Sequence, residues 1–146
     1  MKYAIAAQRA WVINKKQELL MVQYVDAPGN SRYKGTWGLP GGKVDLGDSL
    51  DDSLIKEVLQ ETGIRISPRQ AIGLVGFTTP FVDQKQIMSV IRLAKIVGGR
   101  LLGERQENHS RLCSAWIPLP QVTKLKLAFA EAAEIVRLVN SRQLMQ

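Results

Sequence analysis

Apolar residues fall in short runs separated by polar groups, glycine and proline, and the spacing within each run predicts an element. Residues 3–13 are rich in Ala, Ile, Trp and Val, and the polar break Asn14-Lys15-Lys16-Gln17 divides them from the apolar run at 18–25. Two strands joined by a short hairpin turn are predicted. Residues 26–35 carry Pro28, Gly29, Asn30 and Ser31 and read as an exposed loop. Residues 50–62 change period: Leu54, Ile55, Val58, Leu59 and Thr62 fall on one broad helical face, and Ser53, Glu57, Gln60 and Glu61 on another. The first face packs; the second is expected to be free for chemistry. Ser49 with Asp52 three residues later starts this helix, Asp51 and Asp52 complement its dipole, and Gly63 ends it.

Beyond the helix, residues 64–66 predict a short strand closed by Ser67-Pro68. Residues 71–78 and 86–97 predict two more, joined through 79–83. The second has no cleanly polar face, so both its faces are expected to be largely covered. Residues 103–111 read as a polar loop, and 116–120 as a strand running into a proline-punctuated turn. From residue 125, Leu127, Ala128, Ala132, Ile135, Val136 and Val139 recur at helical spacing, predicting a closing amphipathic helix. The order strands, helix, strands, helix fits a mixed sheet between helical layers. With no repeat or low-complexity run, one domain over 1–146 is expected.

Glu57 and Glu61 lie four apart, where like charges on an isolated helix cost about 0.2–0.5 kcal/mol unless a cation sits between them. Two carboxylates beside the glycine turn Gly41-Gly42 suggest a hard divalent metal, Mg²⁺ or Mn²⁺, because these ions prefer oxygen ligands. A solvated acidic helix face satisfies the same periodicity.

The wider spacing narrows the choice. Gly42, five residues, Asp48, seven residues, then Lys56-Glu57-Val58-Leu59-Gln60-Glu61-Thr62-Gly63-Ile64 resembles the box of the MutT-like Nudix hydrolases. Its pattern is G, five residues, E, seven residues, then R-E-U-x-E-E-x-G-U with U aliphatic. Gly42, Glu57, Val58, Glu61, Gly63 and Ile64 agree, and the lead-in Gly35-Thr36-Trp37-Gly38-Leu39-Pro40-Gly41 is similar too. Three positions depart: Asp48 stands for Glu, Lys56 for Arg, and Gln60 for the first Glu of the E-E pair.

The resemblance implies an α/β/α sandwich and hydrolysis of a nucleoside diphosphate linked to another moiety. It implies a divalent ion held by Glu57, Glu61 and the Gly41 carbonyl, with Gln60 as a neutral substitute ligand and Glu57 also at a proposed base position. Asp48 and Lys56 match a pair bracing the loop on the helix, looser here because Lys cannot make the bidentate fork of Arg. A further acid outside the box is implied, with Glu107 the first choice and Glu104 the second; His109 is given no role. The second strand of such proteins often ends in an arginine near the phosphates. Tyr24 stands there, so that contact is missing or supplied elsewhere; Arg32, Lys34 and Arg92 are substrate candidates. Because Gln60 removes a charge from the metal cluster, a catalytically weak nucleotide-binding or sensing domain is the alternative.

Charge and composition adjust this picture. Net charge is +7, yet residues 42–64 carry −4 and the remainder +11. An acidic patch in a basic surround suits a metal site receiving a phosphate-bearing substrate. The basic surround also suggests an RNA 5′-end pyrophosphohydrolase or RNA binder, although no basic run is interleaved with aromatics. Cys113 is the lone cysteine, and no apolar run is long enough for a signal peptide or a membrane span. A cytoplasmic protein with a nucleotide-type substrate, no membrane partner and room for homo-oligomerisation is expected.

Overall fold

The computed structural model describes residues 4–26, 33–78, 86–107, 110–128 and 130–141. Strands β1 (Ala4–Val12) and β2 (Glu18–Asp26) flank the predicted polar break. Asn14 builds the turn: its Oδ1 accepts from the Lys16 and Glu18 amides, both at 3.0 Å, and Gln17 takes the left-handed conformation at φ 61°. The strands do not continue as the expected hairpin. After the single bridge Ile13–Leu19 they diverge into different sheets.

β1 joins a mixed sheet in the order β4-β1-β6-β5, made with β4 (Gly41–Lys43), β5 (Ile64–Thr78) and β6 (Gln86–Gly99). Its nine-residue pairing with β6, from Ala4–Gln86 to Val12–Ala94, is parallel. Ala10, Trp11 and Val12 are buried in succession, as befits a strand covered on both faces. β2 joins an antiparallel sheet in the order β3-β2-β8-β7, with β3 (Trp37–Gly38), β7 (Glu104–Glu107) and β8 (Ser110–Pro118). The expected mixed sheet is thus present, accompanied by a second, antiparallel one.

Three other boundaries differ from the sequence reading. Ser67-Pro68 does not close a strand; β5 runs through it with register shifts against β6 between Pro68 and Gly73, where a missing amide is tolerated. The polar segment at 103–111 contains β7, paired with β8, rather than only loop. The closing helix α3 (Ala132–Val139) starts later than residue 125. There the backbone is taken by β3: Trp37 donates to the Lys126 carbonyl at 2.9 Å and accepts from the Ala128 amide at 2.8 Å. A short helix α2 (Leu119–Val122) precedes it.

The long predicted helix is α1 (Leu50–Thr62). Ser49 caps it, accepting from the Asp52 amide, and Gly63 closes it at φ 81° with its amide on the Leu59 carbonyl. Alternation along β1 sends Ala10 and Val12 into a core with Leu54, Val58, Ile64 and Ile66 beneath α1. Trp11 goes to the opposite core with Met21, Leu39, Ile135 and Leu138 against α2 and α3. Helices thus cover both sides of the sheets, an α/β/α arrangement. Among the described residues no helix is long and apolar enough to cross a membrane.

A Cβ on Gly63 would lie 2.2 Å from the Arg100 carbonyl oxygen. Gly63→Ala is therefore expected to lower the unfolding free energy by about 1–3 kcal/mol in a urea titration, from left-handed strain with the clash adding to it.

Candidate active site

The turn between β3 and β4, Gly38-Leu39-Pro40-Gly41, lies where both sheets and helices α1 and α3 meet. Glu61, buried at 7% exposure, accepts from the Gly41 amide through Oε1 at 2.7 Å. Glu57, one turn earlier, lies over Gly42, so close that a Cβ there would be 2.9 Å from its Oε2. The fold thus brings Glu57, Glu61 and the Gly41-Gly42 turn together. Gln60 is exposed. The helix face expected to be free for chemistry is partly shut: Ser53 and Glu61 are buried, because that face rests on the glycine turn and the loop behind it. Ser53 Oγ accepts from the Asp45 amide at 3.2 Å, tying that loop to the helix.

Lys56 Nζ lies 2.8 Å from Asp48 Oδ2 and 2.5 Å from Asp45 Oδ2. Asp45 is a second anion in this brace that the sequence reading did not single out. The hydrogen bonds to Asp45 and Asp48 raise the Lys56 pKa. All three groups are about 40% exposed, so water competes for both pairs and screens them.

The remaining candidates are dispersed. Arg92, on β6, gives Nη2 to Asp51 at 2.7 Å, Nη1 to Gln8 Oε1 at 3.2 Å and Nε to the Arg69 carbonyl at 2.9 Å. Lys34 is exposed before β3, and Arg32 and His109 lie outside the described residues. Glu104 pairs with Arg111 at 3.3 Å on β7, the outer strand of its sheet. Glu107 ends the same strand, its backbone opposite Ser110, and its side chain lies outside what is described.

Two charged residues at the turn escaped the sequence reading. Glu131, at the start of α3 and 7% exposed, accepts from the Leu39 amide through Oε1 at 2.5 Å. Its Oε2 is 3.8 Å from Arg9 Nε on β1, and Arg9 also donates from Nη1 to the Leu39 carbonyl at 3.4 Å. A signal existed for each. Arg9 interrupts an apolar strand, and Glu131 falls four residues before Ile135, on the inward stripe of the closing helix. Tyr24 packs against Tyr33 with ring centroids 5.5 Å apart and planes tilted by 56°, and stands close enough to Arg9 to feel its charge. Burial pushes the Tyr24 hydroxyl up to about 12, with Arg9 opposing. Burial works against the Arg9 charge, but Tyr24, Glu131 and Glu61 outweigh it and raise its pKa. Burial also raises the Glu131 carboxyl, against the pull of Arg9 and the Leu39 amide.

Among the described residues no three His, Cys, Asp or Glu side chains form a ready cage for a metal. Two carboxylates against one glycine turn are instead the sparse oxygen set with which Mg²⁺ binds, its other ligands being water and phosphate oxygens.

The NUDIX domain family model matches residues 4–139 of this sequence. The chain belongs to the Nudix family. It is 31% identical over 97 residues to a putative 8-oxo-dGTP diphosphatase of Bacillus subtilis, covering 66% of this chain and 56% of that protein. It is 25% identical over 91 residues to an ADP-ribose pyrophosphatase of Methanocaldococcus jannaschii, covering 62% and 50%. The chain thus spans about half the length of these curated relatives. The MutT protein of Methanosarcina mazei shares the fold with a TM-score of 0.66 and 24% identity, over 96% of this chain and 97% of its own. A NUDIX hydrolase of Nitrosomonas europaea shares it at 0.72 and 15% identity, over 92% and 86%.

The raised Glu131 pKa has a measurable sign. A carboxyl whose folded value lies above its ordinary 4.5 adds stability below that value and loses it as pH rises through the folded value. The unfolding free energy of the wild type relative to Glu131→Gln is expected to fall as pH is raised from 4.5. A difference flat with pH in denaturant titrations would contradict this.

Proposed function

We propose that this Nudix domain hydrolyses the pyrophosphate link of a nucleoside diphosphate joined to another group, with Mg²⁺ or Mn²⁺ as its ion. The observation that carries the reading is the convergence of Glu57 and Glu61 on the Gly41-Gly42 turn, with Glu61 already bonded to the turn amide. The names of the relatives, an 8-oxo-dGTP diphosphatase and an ADP-ribose pyrophosphatase, have a phosphorylated nucleoside in common and support that substrate class.

In this reading Glu57, Glu61, the Gly41 carbonyl and the weaker amide oxygen of Gln60 would hold the ion. When bound, the ion neutralises the diphosphate and acidifies a coordinated water. Glu57, which lies over Gly42, would accept a proton from the attacking water. Glu61 splits its work, one oxygen fixing the turn through the Gly41 amide. Asp48 and Asp45, through Lys56, hold the loop before α1 against the helix. In this reading Arg9, beside Tyr24, would supply the cation that the second strand lacks, with Lys34 as a further phosphate contact; Arg32, the other candidate, lies outside the described residues. Glu107 is the further acid proposed outside the box.

A substrate panel of nucleoside triphosphates, nucleotide sugars and dinucleoside polyphosphates, run with Mg²⁺ and Mn²⁺ in parallel, tests the reading. Release of a monophosphate or pyrophosphate is expected, with Glu57→Gln lowering kcat by about 10²–10⁴-fold. No metal-dependent turnover of any member would overturn it.

The neutral Gln60, exposed on α1 where the box has an acid, favours a second reading, a nucleotide-binding domain with little turnover. Its mark is a rise in Tm with nucleotides and no hydrolysis. Under either reading Gln60→Glu is expected to tighten Mn²⁺ binding in calorimetry; unchanged affinity would place residue 60 outside the ion's ligands.

A further inference from the structure

We propose that Arg92, Gln8 and Asp51 form a latch that sets the orientation of α1, so that Arg92 is a positioning residue for the two helix carboxylates. The role assigned to those carboxylates rests on the proposed function; the latch itself does not.

The loop brace is an incomplete support for the helix. Lys56 reaches Asp45 and Asp48 in solvent, with all three side chains 38–43% exposed. Water competes for such pairs, and a lysine ammonium imposes little direction on its partners. The start of α1 is held differently. Gln8 on β1, 3% exposed, donates from Nε2 to the Leu50 carbonyl at 2.8 Å, and its Oε1 accepts from Arg92 Nη1 at 3.2 Å. Arg92 is 16% exposed at its side chain and Asp51 59%, so the protection lies on the arginine side, whose planar fork reaches Asp51, the buried Gln8 and the Arg69 carbonyl at once.

Two adjacent helix residues are therefore tied to two adjacent strands, Leu50 to β1 and Asp51 to β6, and the two ties are bonded to each other. The third bond reaches Arg69 in β5, beside the register shift that brings its carbonyl into range. A planar donor with three fixed acceptors defines an angle, which a single ion pair cannot do. Gln8 also lies opposite Gly42 in the β1–β4 register, so the strand that holds the helix start is hydrogen-bonded to the glycine turn. Helix carboxylates and turn are thus referred to the same strand.

The latch predicts that Arg92→Gln and Gln8→Met act alike and exceed Lys56→Gln. Hydrogen–deuterium exchange of the α1 amides from Ser53 to Val58 is read first, in the absence of metal. Protection is expected to fall about tenfold in Arg92→Gln and Gln8→Met, the loss of one charge-assisted bond, and less in Lys56→Gln. Arg92→Lys, which keeps only the Asp51 contact, is expected to fall between. With a substrate from the panel, the half-saturating Mn²⁺ concentration is expected to rise in the same order while KM for substrate changes little.

Equal protection loss in Lys56→Gln and Arg92→Gln would overturn the latch. So would a raised KM in Arg92→Gln with helix exchange unchanged, the pattern of a direct substrate contact. If the wild type turns over no substrate, the proposed function fails while the exchange order still decides the latch.

Discussion

Two buried carboxylates hold one short turn, and the architecture is arranged to bring them there. The Gly41 amide is bonded by Glu61 from α1, and the Leu39 amide by Glu131 from α3. An unpaired buried amide costs about 1–3 kcal/mol, so neither contact can be lost without penalty. The turn is consequently approached from both helical layers. It also joins the two sheets, because β3 on one side pairs with β2 and β4 on the other pairs with β1.

Carboxylates used this way are not neutral scaffolding. Glu61 is held by the turn through one oxygen, which presets the position of the other. Glu131 is compensated on its second oxygen by Arg9 at 3.8 Å, a long contact that leaves the guanidinium partly open. Arg9 is therefore part of the structure and of the polar surface at once. Tyr24 on β2 packs its ring against Tyr33 and stands close enough to Arg9 to feel its charge.

Legibility in the sequence follows the range of the interaction involved. The helix α1 was readable from Ser49 to Gly63 because capping and a 3.6-residue period are local properties, and both ends fall where these place them. The separation of β1 from β2 was not readable. A turn shows that two strands are consecutive, while their sheet partners are chosen by β6 and β8, far along the chain. The start of α3 failed for the same reason: residues 126–128 have helical spacing, but the edge of β3 claims their backbone. At the site, the box fixed the neighbourhood of Glu57 and Glu61 to the glycine turn. Glu131 and Arg9 were obscure because an ion pair or buried bond across the fold leaves no periodic trace. Their only mark is a charge where an apolar residue was expected.

The bond from Leu39 to Glu131 spans 92 positions, and the β1–β6 ladder begins by joining residue 4 to residue 86. Such pairings give the chain a high contact order, and closing loops of this length precedes any gain from the contacts they permit. On the ribosome the box, its helix and the glycine turn emerge after β1 but well before Arg92 and Glu131, which complete their anchoring. A nascent chain paused just past Ile64 holds every box residue and no finished site. Assembly of the centre is therefore a late event in folding, coupled to the arrival of the last helix.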